Sequence, residues 1–184
     1  MFSNTIPLYL ITGFLEGGKT SFIQDVLTNG DFADGQKTLL ILCEEGEVEY
    51  DQSELTNLNI LSLTVDEEKD FNGEYLRNCI RKYRPKRIFV EMNGMWDCKW
   101  MFDSALPREV EIAQVITIVD GSTLQVYVNN MKGILSNLFT YTEMVIFNRC
   151  TEDMPLHSFR RAVRGVNPRA MVYFEDEEGN PVDP

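Results

Sequence analysis

The chain has 184 residues, enough for one α/β domain with a full core but not for two. Its 29 acidic and 17 basic residues give a formal charge of −12, which repels nucleic acid and anionic lipid. No apolar run approaches the roughly 18–20 residues needed to span a bilayer, and the N-terminus has no basic n-region or small-residue cleavage site, so a cytoplasmic location is expected.

The first predicted element is a buried strand at 7–12 (PLYLIT), running into a glycine-rich turn. A helix follows at 19–28, with Phe22, Ile23, Val26 and Leu27 at helical spacing, and Asn29-Gly30 closes it. Residues 37–43 (KTLLILC) form a second buried strand, followed by an acidic loop from Glu44 to Asp51 and a short strand at 59–64. The pattern then predicts a helix at 72–83 ending near Pro85, a strand at 87–91, and a loop or short helix carrying Trp96 and Trp100. Further strands at 114–119, 143–147 and 170–174 alternate with helical material at 122–140 and a basic helix at 155–164. Continuous apolar strands alternating with helices predict a three-layer α/β fold, its mostly parallel sheet covered by helices on both faces. One domain is expected over 1–174. The acidic stretch 175–184 is read as a linker that packs nothing and leads toward a further domain.

Gly13-Phe-Leu-Glu-Gly-Gly18-Lys19-Thr20 fits G-x-x-x-x-G-K-[ST] in full, with a strand before it and a helix after it. Such a loop turns its backbone N–H groups inward at a helix N-terminus and so makes an anion nest. The expected nucleoside triphosphate contacts are Gly13, Glu16, Gly17, Gly18, Lys19, Thr20 and Ser21. Among these, Lys19 reaches the β- and γ-phosphates, the Thr20 hydroxyl binds Mg²⁺, and Ser21 touches the α-phosphate.

Three more loops follow strand ends, where ligands sit in open α/β sheets. The acidic loop holds carboxylates suited to Mg²⁺ or an attacking water. Glu91-Met-Asn-Gly94 offers a carboxylate at the end of an apolar strand, which needs a partner such as a magnesium-bound water. Gly94 there offers an N–H to a γ-phosphate. Asn148-Arg149-Cys150-Thr151 stands where G proteins carry N-K-x-D: Asn148 and the Arg149 stem fit a base loop. Thr151 replaces the carboxylate that holds both guanine N–H groups, which weakens the expected guanine preference. Glu152 or Asp153 could substitute from a shifted register.

Together these pieces resemble the nucleotide-binding domain of the CobW/HypB/UreG family of P-loop GTPases, with the CobW branch nearest. The stretch from Ile11 to Thr20 is similar to that family's ITGFLGAGKT, and Glu44 to Asp51 is similar to NEFGEVGID, with Glu45 and Asp51 on the acidic positions. Glu91 to Gly94 matches E-x-x-G, Val115 to Asp120 resembles V-x-x-V-V-D, and Asn167 to Ala170 matches N-P-x-A. Glu16 stands where the family prefers Gly. The resemblance implies slow Mg²⁺-dependent GTP hydrolysis in the service of metal handling, with ATP as an alternative nucleotide. Lys19, Glu91 and Glu45 would be catalytic, and Thr20, Glu91 and Asp51 would stand on the metal. It also implies a protein partner or second domain and allows a homodimer. The family's C-x-C-C metal motif is absent: Cys43, Cys79, Cys98 and Cys150 stand apart, and His157 is the only histidine. Two rival readings are a regulatory module that binds nucleotide without hydrolysis and a small-molecule kinase. For the kinase, residues 95–113 offer only Arg108 to a lid. Arg160, Arg161 and Arg164 make a basic patch suited to the acidic tail or a second domain.

Overall fold

A computed structural model describes the chain apart from residues 1–4, 15, 45–48, 104 and 125–131, and the side chains of Lys132 and Ile134. Seven strands, β1 (Ile6–Gly13), β2 (Thr38–Leu42), β3 (Ile60–Thr64), β4 (Arg87–Glu91), β5 (Val110–Asp120), β6 (Met144–Asn148) and β7 (Met171–Phe174), form one sheet. Their order is β3-β2-β4-β1-β5-β6-β7, and every pairing is parallel. The sheet expected to be mostly parallel is therefore wholly so among the named strands. Parallel neighbours need crossovers, and these are the helices α1 (Lys19–Asn29), α2 (Gln52–Asn57), α3 (Gly73–Tyr83), α4 (Lys132–Thr140) and α5 (Leu156–Val166).

Period-two alternation sorts the core into two faces. Leu8, Leu10, Leu39, Ile41, Ile88 and Val90 pack with Leu76 and Cys79 of α3. Ile11, Leu40, Phe89, Ile116 and Ile118 pack with Ile23 and Leu27 of α1 and Leu55 of α2. Under α4 and α5, Val119, Val145 and Phe147 meet Leu138, Phe159 and Val163.

The structure departs from the sequence reading in several places. Strand β5 starts at Val110 rather than 114, past a register shift against Leu8 and Tyr9 that hides the early part of its pattern. Helix α2, which had no counterpart in the reading, begins where the Asp51 carboxylate accepts hydrogen bonds from the Ser53 and Glu54 backbone N–H groups. Of the helical material expected at 122–140, α4 covers Lys132–Thr140, and 125–131 lie outside the described residues.

The acidic stretch after β7 also packs more than expected. The Val182 N–H donates to the Phe174 carbonyl, Glu175 and Pro181 form a bridge, and Val182 leans on the core beneath α5. No helix among the described residues is long and apolar enough to cross a membrane.

Candidate nucleotide site

Because every strand runs the same way, the C-terminal ends meet on one edge of the sheet. Gly13, Glu91, Asp120 and Asn148 all end strands there, and Glu44 and Glu175 follow just beyond β2 and β7. Lys19 and Thr20 open α1 and are 3% and 8% exposed, so a charged and a hydroxyl side chain are held inside the edge. Among the described residues no side chain caps the α1 N-terminus; its cap is Gly18 with φ 97°. The first-turn N–H groups of a helix lack intrahelical acceptors, and without a capping side chain they form a cradle for an anion. A Cβ at Gly18 would run into the Asn148 amide, and one at Gly94 would run into the Gly13 carbonyl. Both glycines are there because backbone or amide occupies the space of a side chain.

Lys19 Nζ donates to the Gly13 and Phe14 carbonyls at 2.8 and 2.7 Å and lies 2.5 Å from Glu44 Oε2. The ammonium therefore rests among three oxygens, two carbonyl and one carboxylate. Glu91 pairs in register with Ile11 on one side and Leu42 on the other, which places it between the ends of β1 and β2. Its Oε1 accepts from the Thr20 hydroxyl at 2.7 Å and its Oε2 from the Tyr50 hydroxyl at 2.5 Å. Burial drives the Glu91 pKa up, against the hydrogen bonds from Tyr50 and Thr20 and the charge of Lys19. Burial and the Glu91 charge push the Tyr50 phenol up in turn, so it stays a donor. Cys43, behind this cluster, is pushed up to about 12 by burial and the charges of Glu91 and Glu44.

On the far side of the glycine loop, Asn148 Nδ2 donates to the Gly17 carbonyl at 2.8 Å. Arg149 (φ 51°) donates to Asp120 Oδ2 at 2.6 Å and to the Glu16 carbonyl at 3.3 Å. Burial opposes ionisation of Asp120, but hydrogen bonds from Ser122 and Arg149 outweigh it and hold its carboxyl below the usual range. Glu16 has φ 59°, a left-handed conformation that glycine enters more easily, and its side chain is exposed. Asn148 Oδ1 is a buried polar side-chain atom without a hydrogen-bond partner among the described residues.

The fold thus brings Gly13, Glu16, Gly17, Gly18, Lys19, Thr20, Glu91, Gly94, Asn148 and Arg149 together at one edge. Ser21 is exposed on the first turn of α1, and Asp51 is engaged in capping α2. Glu45 lies outside the described residues. Sequence reasoning missed three contributors: Glu44, whose carboxylate meets Lys19; Tyr50, which meets Glu91; and Asp120, which holds Arg149. The position of Glu44 and Asp120 at strand ends was the available signal. Nothing in the local sequence points Tyr50 inward. Among the described residues, no group of three or more His, Cys, Asp or Glu is arranged to hold a metal ion. A hydroxyl and a carboxylate, Thr20 and Glu91, suit Mg²⁺, which takes few protein ligands and fills its shell with phosphate oxygens and water.

A parallel sheet with a glycine cradle, a buried lysine and a hydroxyl–carboxylate pair at its C-terminal edge defines a P-loop nucleotide-binding domain. The family model described as CobW/HypB/UreG, nucleotide-binding domain, matches residues 7–174, and the chain belongs to that family. A zinc chaperone CobW from Sinorhizobium sp. is 30% identical, the match covering 65% of this chain and 38% of that protein. The chain therefore spans well under half the length of that curated relative. The hydrogenase maturation factor HypB from Archaeoglobus fulgidus has the same fold, with a TM-score of 0.66 at 12% identity, over 97% of this chain and 85% of that one. A Zn(II)-bound triple mutant of the YjiA GTPase gives 0.69 at 21% identity, over 97% and 59%.

Proposed function

We propose that the domain binds GTP with Mg²⁺, hydrolyses it slowly, and acts as a nucleotide switch in metal handling. The observation that carries this reading is the convergence of Lys19, Thr20 and Glu91 on the uncapped start of α1. Lys19 would give up Glu44 and offset charge on the β- and γ-phosphates. The Thr20 hydroxyl and the Glu91 carboxylate would hold the ion, which when bound supplies positive charge to the phosphate oxygens. Asp51 would add a carboxylate through Oδ2, since its cap hydrogen bonds use Oδ1. Glu91 and Glu45 would order the attacking water, and the Gly94 N–H would donate to the γ-phosphate. Asn148 and Arg149 would flank the base.

Among the described residues no arginine contacts Lys19, and turnover without a partner would accordingly be slow. A protein partner or a second domain would read the switch, and the name of the CobW relative supports zinc as the metal context. The test is phosphate release from GTP and ATP, with Mg²⁺ and with chelator. Release from GTP that needs Mg²⁺ is expected. Absence of release from both nucleotides overturns hydrolysis.

A regulatory module without hydrolysis is the second reading. It is favoured by the engagement of both Glu91 oxygens, by Thr20 and Tyr50, and its mark is tight binding without release.

A further inference from the structure

The loop Asn148 to Thr151 is bound to the glycine loop through Asn148 on Gly17 and Arg149 on Glu16, and on the nucleotide reading above it is the loop that would flank the heterocycle. Guanine presents two adjacent N–H donors, N1–H and the 2-amino group. Adenine presents one donor beside an acceptor. A carboxylate accepts from both guanine donors and is repelled by the adenine acceptor. Position 151 is an exposed threonine and supplies no such charge.

The acidic side chains around this loop are not equivalent. Asp120 is engaged by Arg149 and Ser122. Asp176 accepts from the Glu178 and Asn180 backbone N–H groups and from Asn180 Nδ2. Glu152 and Asp153 are exposed in the turn before α5. Glu175 differs. Its N–H donates to the Phe147 carbonyl and its carbonyl accepts from the Cys150 N–H, both at 2.9 Å, which fixes it alongside the base loop. Its side chain is half-buried, and among the described residues no donor engages the carboxylate. Burial and then the neighbouring Asp176 push its pKa up, as expected of an acid lacking its partner. Asn148 Oδ1, on the same loop, is a buried side-chain acceptor without a hydrogen-bond partner among the described residues. A half-buried carboxylate and a buried amide oxygen, neither engaged by a donor there, point to a ligand edge that carries N–H groups.

We propose that Glu175, in the loop after β7, is the carboxylate that selects guanine, in place of the side chain at 151. The proposal rests on the nucleotide reading above and assigns its base specificity.

Binding calorimetry with Mg²⁺ and the diphosphates of guanosine, inosine, xanthosine and adenosine tests it. Wild-type protein should bind the guanosine form about tenfold tighter than the inosine form, which lacks the 2-amino group, and tighter still than the adenosine form. Glu175→Gln should lose about tenfold for guanosine diphosphate and gain for the xanthosine form, whose C2 carbonyl accepts from the new amide. Its adenosine diphosphate affinity should change less than twofold. Glu152→Gln/Asp153→Asn should leave the whole series unchanged. Equal wild-type binding of the guanosine and inosine forms overturns the proposal without any variant. So does an E175Q protein with unchanged selectivity, or a loss that follows Glu152 and Asp153 instead. Absence of binding to every diphosphate and triphosphate defeats the nucleotide reading itself, a different result from binding without guanine selection.

Discussion

Tyr50 and Glu91, 41 residues apart in sequence, meet in a 2.5 Å hydrogen bond between phenol and carboxylate inside the edge of the sheet. The same carboxylate accepts from Thr20, so the glycine loop, β4 and the chain leading into α2 converge on one buried acid. Removing the phenol in Tyr50→Phe leaves Glu91 Oε2 short of a donor without opening a cavity. The expected result is a loss of about 1–2 kcal/mol in nucleotide-free protein, read by urea denaturation at neutral pH. A midpoint equal to wild type would mean that water replaces the phenol at no cost.

The raised pKa of Glu91 has a definite sign for stability. An acid with a higher pKa in the folded state than in the unfolded chain contributes most below its unfolded value, and that contribution is lost as pH rises through the folded value. Glu91→Gln is neutral at every pH and avoids this loss. Nucleotide-free E91Q should therefore melt above wild type at pH 8, with the gap closing as pH falls toward the ordinary carboxylate range. For a domain of this size, about 1 kcal/mol corresponds to about 2–4 °C. A gap that widened on acidification would reverse the assignment.

Lys19 is held by two carbonyls and by Glu44. Replacing it in Lys19→Ala removes the phosphate-facing charge and leaves the nearly buried Glu44 carboxylate unpaired. Triphosphate affinity should fall by at least about 2–3 kcal/mol, roughly 30- to 150-fold, in calorimetry. Unchanged affinity would remove Lys19 from the site.

Gly94 lies against the Gly13 backbone, whereas Gly165 on α5 has open space where a Cβ would go. Gly94→Ala should destabilise by about 1–3 kcal/mol, because backbone must move. Gly165→Ala should stabilise by up to about 1 kcal/mol through helix propensity. Equal effects in thermal melts would show that the Gly13–Gly94 approach is not tight.

Cys43 is buried with its thiol pushed up to about 12, and Cys98 is only half-buried. Native protein treated with an aromatic disulfide reagent at pH 8 should react at Cys98 well before Cys43, and all four thiols should react once unfolded. Fast labelling of Cys43 would show that the cluster around Glu91 opens readily.

The glycine loop, the order of the strands, the helices other than α2 and the acid ending β4 were legible in the sequence, because each depends on local pattern. Buried parallel strands read as unbroken apolar runs, and an anion nest needs glycines and Lys-Thr at one short spacing. Contacts between loops far apart in the chain were not legible. That Glu44 rather than a neighbouring acid meets Lys19, that Tyr50 turns inward to Glu91, and that Asp51 caps a helix all depend on how the strand ends are brought to one edge. The pairing of β6 with β7 likewise decides that Glu175 lies beside Phe147 and Cys150. The sequence by itself determined the glycine loop from Gly13 to Thr20 and the strand and helix on either side of it. Only the tertiary structure decided which carboxylates surround that site, because charge acts over a few ångströms of space regardless of separation along the chain.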